Sequence, residues 1–185
     1  MRNGKTDLSK FNNAWFNPGG NAISRALWYV MNATLLKSSM PFMYPKRFCL
    51  RVFGAKIGKG LIIKPRVSIK YPWNLEIGDN VWIGENVWID NLGKVKIGSN
   101  VCLSQGAMLM SGNHNFSKSN FELMVKDIVI EDGAWLGARS LVCQGVTVGS
   151  HAVLSVSSVA SENLEPYSIY RGNPATKIKE RVIEN

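Results

Sequence analysis

Histidine is scarce in this chain: His114 and His151 are the only two in 185 residues. A catalytic zinc centre held by three imidazoles cannot be assembled from them within one chain, and no metal ligand set is expected. Three cysteines, Cys49, Cys102 and Cys143, lack CxxC spacing and cannot all pair. No disulfide framework is implied, and a reducing cytoplasm is the expected compartment. No apolar run approaches the roughly 20 residues of a membrane span. The apolar stretch at 26–36 is bracketed by Arg25 and Lys37, and no small-residue cleavage site follows it. Neither a spanning helix nor a cleavable leader is expected. Acidic residues are nearly missing from the first third. Residues 1–56 hold nine Lys/Arg against Asp7 alone, while the remaining 129 residues hold 13 basic and 12 acidic groups. No nucleic-acid-binding motif accompanies this basic segment, so nucleic acid is not an expected partner. Three readings of it stay open: a solvated flank, a contact with an anionic membrane surface, or a contact with a phosphate-bearing substrate.

What the chain does have is a six-residue beat. Aliphatic residues recur at Ile57, Ile63 and Ile69, at Ile77, Ile83 and Ile89, at Ile97, Leu103 and Leu109, and again at Ile130, Leu136, Val142, Val148 and Leu154. Four positions after most of them stands a small or β-branched residue, such as Val67, Val87, Ala107, Ala134 or Ser158. A period of six fits neither a helix nor a simple alternating strand over such a length, and points to a solenoid of short strands joined by corners. The beat comes in threes, slipping by two residues after Ile69 and after Ile89, as insertions at one corner of successive triangular coils would make it do. The expected fold is mainly β, a parallel β-helix with aliphatic residues filling a three-sided prism.

The chain divides into three parts on this reading. Residues 1–56 form a basic flank, with a polar, glycine- and asparagine-rich loop to about residue 20, a helical segment from there to about residue 39 and a second short helix at 42–53. Residues 57–165 form the prism, with coils at 57–74, 77–94, 97–114, 130–147 and 148–165 and an extruded loop at 111–129. Residues 166–185 form a tail in which Gly172, Asn173 and Pro174 turn the chain and 174–183 reads as a short helix with proline in its first turn. Aligning the coils puts Ile62, Trp82, Cys102, Trp135 and Val153 in one outward column, and Ser68, Trp88, Met108, Leu141 and Val159 in the next. Outward apolar columns call for cover, either by neighbouring copies in a cyclic homotrimer or by the chain's own N-terminal helices.

The extruded loop carries His114 in the sequence Ser111-Gly112-Asn113-His114-Asn115. Long loops in compact solenoids are usually functional, and an imidazole can take a proton from a hydroxyl and return it to a leaving group. The alternative for His114 is a surface hydrogen-bonding role. Asn113 either stabilises an oxyanion, a task a backbone N–H could also perform, or shapes the loop. His151 reads as a surface residue.

Several segments outside the repeat carry a resemblance: Gly19 to Ile23 (GGNAI) followed by Leu27-Trp28, LRVFGAKIGK from Leu50, YPWNLEIGD from Tyr71, the SGNHN loop, and RGNPA from Arg171. With these the chain resembles the colanic acid biosynthesis acetyltransferases of the hexapeptide-repeat acyltransferase family over nearly its whole length. The resemblance implies a left-handed coil, a hand the period itself does not reveal. It also implies transfer of acetyl from acetyl-CoA to a saccharide hydroxyl of an exopolysaccharide intermediate. The basic and apolar groups of residues 1–56 are in turn expected to bring such a cytoplasmic enzyme to lipid-linked acceptors at the inner face of the membrane. By the same resemblance His114 is the general base, and Trp135, Ala138, Val156, Ser157 and Ser158 line the acetyl-CoA groove between prisms. Trp135 stays open between capping that groove and packing at the subunit interface. Ser161, Glu162 and Thr176 stand where relatives carry phosphate-binding residues, leaving Lys177 and Lys179 as the nearest replacements. A zinc enzyme on such a prism, like the γ-class carbonic anhydrases, would need three histidines around the metal where this chain has two. A noncatalytic scaffold or sugar-binding prism remains the alternative.

Overall fold

The computed structural model describes residues 4–184. The six-residue beat winds a parallel β-solenoid with three faces. The first face stacks Lys56–Ile57, Leu75–Ile77, Val95–Ile97, Ile128–Ile130 and Thr147–Val148. The second stacks Ile62–Ile63, Trp82–Ile83, Cys102–Leu103, Trp135–Leu136, Val153–Leu154 and Ser168–Gly172. The third stacks Ser68–Ile69, Trp88–Asp90, Met108–Met110, Leu141–Cys143 and Val159–Ala160. Register follows the beat: Ile63 lies over Ile83, then Leu103, Leu136 and Leu154, all buried in the prism. Each coil donates its backbone N–H groups to the carbonyls of the next, so a strand of two or three residues suffices where stacking repeats the pattern.

The corners obey a second rule that the aliphatic beat does not display. Gly60, Arg66, Asn80, Asn86, Asn100, Gly106, Gly133, Arg139, Gly145, His151 and Ser157 all have φ between 55° and 77°. Within each continuous run of coils they are six residues apart, or fourteen across an inserted corner. Glycine and asparagine adopt this left-handed conformation at least cost, and they occupy seven of these eleven corners.

The open N-terminal end of the solenoid is capped by helical segments. Helix α1 (Ala22–Met31) starts at Asn21, whose side chain accepts from the Ser24 N–H at 2.8 Å, and continues as a wider π-helical turn over Asn32–Leu36. Helix α2 (Met43–Val52) has Pro45 in its first turn and ends before Gly54, whose φ is +91°. Between them these segments meet an edge on every face. Trp28 donates its indole N–H to the Ile69 carbonyl at 2.9 Å, and Asn32 Oδ1 accepts from the Ile69 N–H at 3.1 Å. The Lys46 ammonium donates to the Lys64 carbonyl at 3.3 Å, and Arg51 donates to the Ile57 and Gly58 carbonyls. Unpaired strand edges invite association, and these contacts close them. Among the described residues no helix is long and apolar enough to cross a membrane.

The C-terminal helix expected at 174–183 is absent. Ala175–Glu180 is instead a strand antiparallel to Ser168–Gly172, and Gly172, Asn173 and Pro174 make the turn between them. The physical reason is the free edge of Ser168–Gly172, the last strand of the second face, which gains backbone hydrogen bonds only from an extended neighbour. The N-terminal helices also leave the outward tryptophans open, with Trp82 58% and Trp88 43% exposed.

Candidate active site

His114 sits on a hairpin, Gly112–His114 paired with Leu123–Val125, that springs from the corner after the third face. Its imidazole is fixed from two sides. Nδ1 lies 2.9 Å from the Phe121 carbonyl, and the ring stacks on Phe121 at 4.5 Å between centroids and 8° between planes. A carbonyl can only accept, so Nδ1 carries the proton and Nε2 presents a lone pair. Asn113 turns its Oδ1 back onto the His114 N–H at 2.8 Å, which shapes the hairpin. Asn115 steadies the loop further through the Ser117 N–H and Glu122.

The residues around this imidazole include some that the sequence did not announce. Residues 7–18, which read as a polar loop, lie against the hairpin. The Asp7 N–H donates to the Ser119 carbonyl at 2.8 Å, and the Phe11 ring meets His114 at 5.6 Å. Between this segment and the third face lies a cleft of about 830 Å³ lined by Phe11, Asn13, Phe16, Lys70, Asp90 and His114, among others. Lys70 and Asp90 pair across its floor at 2.9 Å, with the Asp90 side chain 12% exposed. The cleft thus combines aromatic walls, a charged pair and an imidazole, groups able to hold a polyhydroxylated molecule by stacking and hydrogen bonding. Phe11, Trp15 and Phe16 were the available signal, being too aromatic for an idle polar loop.

A second cleft, of about 580 Å³, lies on the second face. Trp135, Ala138 and Val156 line it together with Ser104, Ile169 and Arg181. The Trp135 indole N–H donates to Ser104 Oγ at 2.9 Å, which fixes the ring at the cleft wall. Ser157 occupies the adjacent left-handed corner and donates its N–H to the Ala138 carbonyl at 2.9 Å. Ser158 is buried beneath, accepting from the Gly172 N–H at 3.0 Å, and so ties the terminal hairpin to the solenoid rather than lining the cleft. Lys177 is held by Glu165 at 2.7 Å and Glu180 at 2.6 Å, and hydrogen bonds to these two carboxylates push its pKa well above the ordinary lysine value. Lys179 is exposed on the outer strand with no ion pair among the described residues. Arg181 was missed in the sequence because its segment read as helix. Its Nη1 donates to the Gly133 and His151 carbonyls, placing the guanidinium at the cleft rim. His151 stacks on Tyr167 at 4.7 Å, and its Nδ1 lies 2.7 Å from Ser150 Oγ.

The two clefts share no lining residue and open on different faces of the prism. No family model matches the chain. It is 40% identical over 177 residues to the "Putative colanic acid biosynthesis acetyltransferase WcaF" of Escherichia coli, covering 95% of this chain and 97% of that protein, and matches the Shigella flexneri protein of the same name equally. The chain belongs to the WcaF family of hexapeptide-repeat acetyltransferases. A galactoside O-acetyltransferase of Escherichia coli is 28% identical over 129 residues, 68% of this WcaF-family chain and 64% of the relative. Solved structures repeat the fold. A hexapeptide-repeat acetyltransferase from Vibrio cholerae, complexed with acetyl coenzyme A, superposes with a TM-score of 0.78 at 22% identity over 87% of this chain and 88% of that one. A galactoside acetyltransferase in complex with coenzyme A gives a TM-score of 0.76 at 24% identity over 85% of this chain and 80% of that one.

Proposed function

We propose that the protein is an O-acetyltransferase that moves acetyl from acetyl-CoA to a saccharide hydroxyl of an exopolysaccharide intermediate similar to those of colanic acid. The observation that carries this reading is the His114 imidazole, locked with Nδ1–H on the Phe121 carbonyl and lining a cleft with aromatic walls and a charged floor. Acceptor and donor occupy different surfaces of one chain, the sugar beside His114 and the pantetheine arm beside Trp135, Ala138 and Val156. A complete site then needs two copies. A cyclic homotrimer supplies it, covering the exposed Trp82, Trp88 and Trp135 where faces meet.

In the reaction, His114 Nε2 takes the proton from the acceptor hydroxyl as its oxygen bonds to the thioester carbonyl carbon. A backbone N–H holds the resulting oxyanion. The C–S bond then breaks, and the imidazolium returns the proton to the departing thiolate of CoA. Asn113 positions the loop, since its oxygen is already engaged by the His114 N–H. The Lys177 ammonium is already shared by two carboxylates, which leaves Lys179 and Arg181 to meet the CoA phosphates. The use of acetyl-CoA and three unpaired cysteines support a cytoplasmic site of action.

Mass spectrometry of candidate acceptor glycans incubated with acetyl-CoA and the purified protein tests this directly. Acceptor-dependent gain of one acetyl group is the expected result. His114→Ala should lower kcat by about 10²- to 10⁴-fold with little change in CoA affinity. A rate close to wild type in that variant would remove His114 from the mechanism.

A further inference from the structure

Helix α2 has an outer face with no partner among the described residues. Tyr44, Phe48 and Val52, spaced i, i+4 and i+8, form one stripe along it and are 77%, 59% and 64% exposed. Met40 and Phe42, in the connection that leads into the helix, extend the apolar surface at 53% and 64%. The opposite face is fully used, since Lys46, Cys49 and Leu50 are buried against the solenoid. The stripe is therefore surplus to folding.

Its place in the fold narrows what can cover it. Helix α2 packs on Lys56–Ile57 and Ile62–Ile63, the first strands of two faces, and so closes the end of the prism. On the shared site proposed above, neighbouring prisms meet along their sides, which leaves the end free. Charge narrows the choice further. Between Asp7 and Glu76 the sequence has eleven lysines and arginines and no acidic residue. Lys56 and Arg66 are engaged by Glu76 and Glu85, but Lys37, Lys59 and Lys64 are exposed with no ion pair among the described residues. A second copy docked end to end would bring together two surfaces that each carry an excess of unpaired lysines. A surface that is apolar underneath and anionic on top matches this face instead.

We propose that the outer face of α2, with the Lys37 to Phe42 connection, docks the end of the prism onto an anionic lipid bilayer. Phe48 and its neighbours enter the headgroup boundary while Lys37, Lys59 and Lys64 meet lipid phosphates. The column then stands on the membrane with its lateral clefts near the surface, within reach of a saccharide acceptor carried on lipid. Docking does not depend on the transfer reaction, and the two claims can fail separately.

Cosedimentation with phosphatidylcholine vesicles, with and without phosphatidylglycerol, tests the proposal. The wild-type protein should bind the phosphatidylglycerol vesicles at low salt, bind them less at physiological salt, and leave pure phosphatidylcholine vesicles unbound. Phe48→Ser combined with Val52→Ser should lower the partition coefficient about tenfold or more, and Lys37→Glu combined with Lys64→Glu should do the same. His114→Ala should bind vesicles like the wild type. Failure to bind phosphatidylglycerol vesicles at low salt, unchanged binding by both double variants, or a change in oligomeric mass in the Phe48/Val52 variant would each overturn the proposal, the last by showing that the face joins subunits.

Discussion

Phe121 decides what His114 can do. Its carbonyl fixes the tautomer and its ring fixes the plane, so the residue that orients the imidazole is seven positions away and carries no reactive group. The histidine itself was legible in the sequence as one of two, set in an extruded loop; its orienting partner was not, because a main-chain carbonyl leaves no mark in residue identity. Lys46 shows a different residue-level effect. Its side chain is fully buried, its ammonium meets only the Lys64 carbonyl among the described residues, and burial pushes its pKa below the ordinary lysine value. Since the folded pKa is the lower one, the unfolded chain binds more protons between the two values, and the cost of the buried charge is relieved as pH rises through that window. Stability measured by urea titration should therefore rise with pH below the free-lysine pKa by more in the wild type than in Lys46→Met. Parallel pH profiles of the two proteins would show that this lysine has no such role.

At the scale of elements, the ends of the solenoid were harder to read than its middle. The faces follow from aliphatic residues every sixth position, and the corners could have been read from Gly60, Asn80, Asn86, Asn100 and Gly106, where left-handed backbone favours glycine and asparagine. The hand of the coil leaves no trace in either pattern. The terminal strand Ala175–Glu180 was misread because a proline such as Pro174 suits a first helical turn, whereas the deciding influence was the open edge of Ser168–Gly172, a tertiary effect. At the other end, Asn32 and Trp28 serve both backbone groups of Ile69. Asn32→Ala leaves the Ile69 N–H unpartnered in a part-buried position, and should cost about 1–3 kcal/mol in chemical denaturation. A loss well under 0.5 kcal/mol would mean that water replaces the cap freely.

At the scale of the molecule, the separation of the two clefts is the central fact. One face carries the imidazole and another carries Trp135, Ala138 and Val156, so under the proposed mechanism a single prism holds two half-sites. The outward tryptophans were readable from the sequence as a demand for cover. Which surfaces carry the half-sites was not, since that depends on where the 111–129 excursion and residues 7–18 lie. Co-expression of two inactive variants tests the shared site most directly. One variant is His114→Ala, and the other is Ala138→Trp, which fills the second cleft. If each site combines the histidine of one copy with the second cleft of its neighbour, the randomly assembled population recovers roughly a quarter of wild-type acetyl transfer, because random assembly pairs an intact half with an intact half that often. Recovery near that level is the predicted result. Mixed assemblies as inactive as either parent would contradict it, placing both halves of the site on one chain.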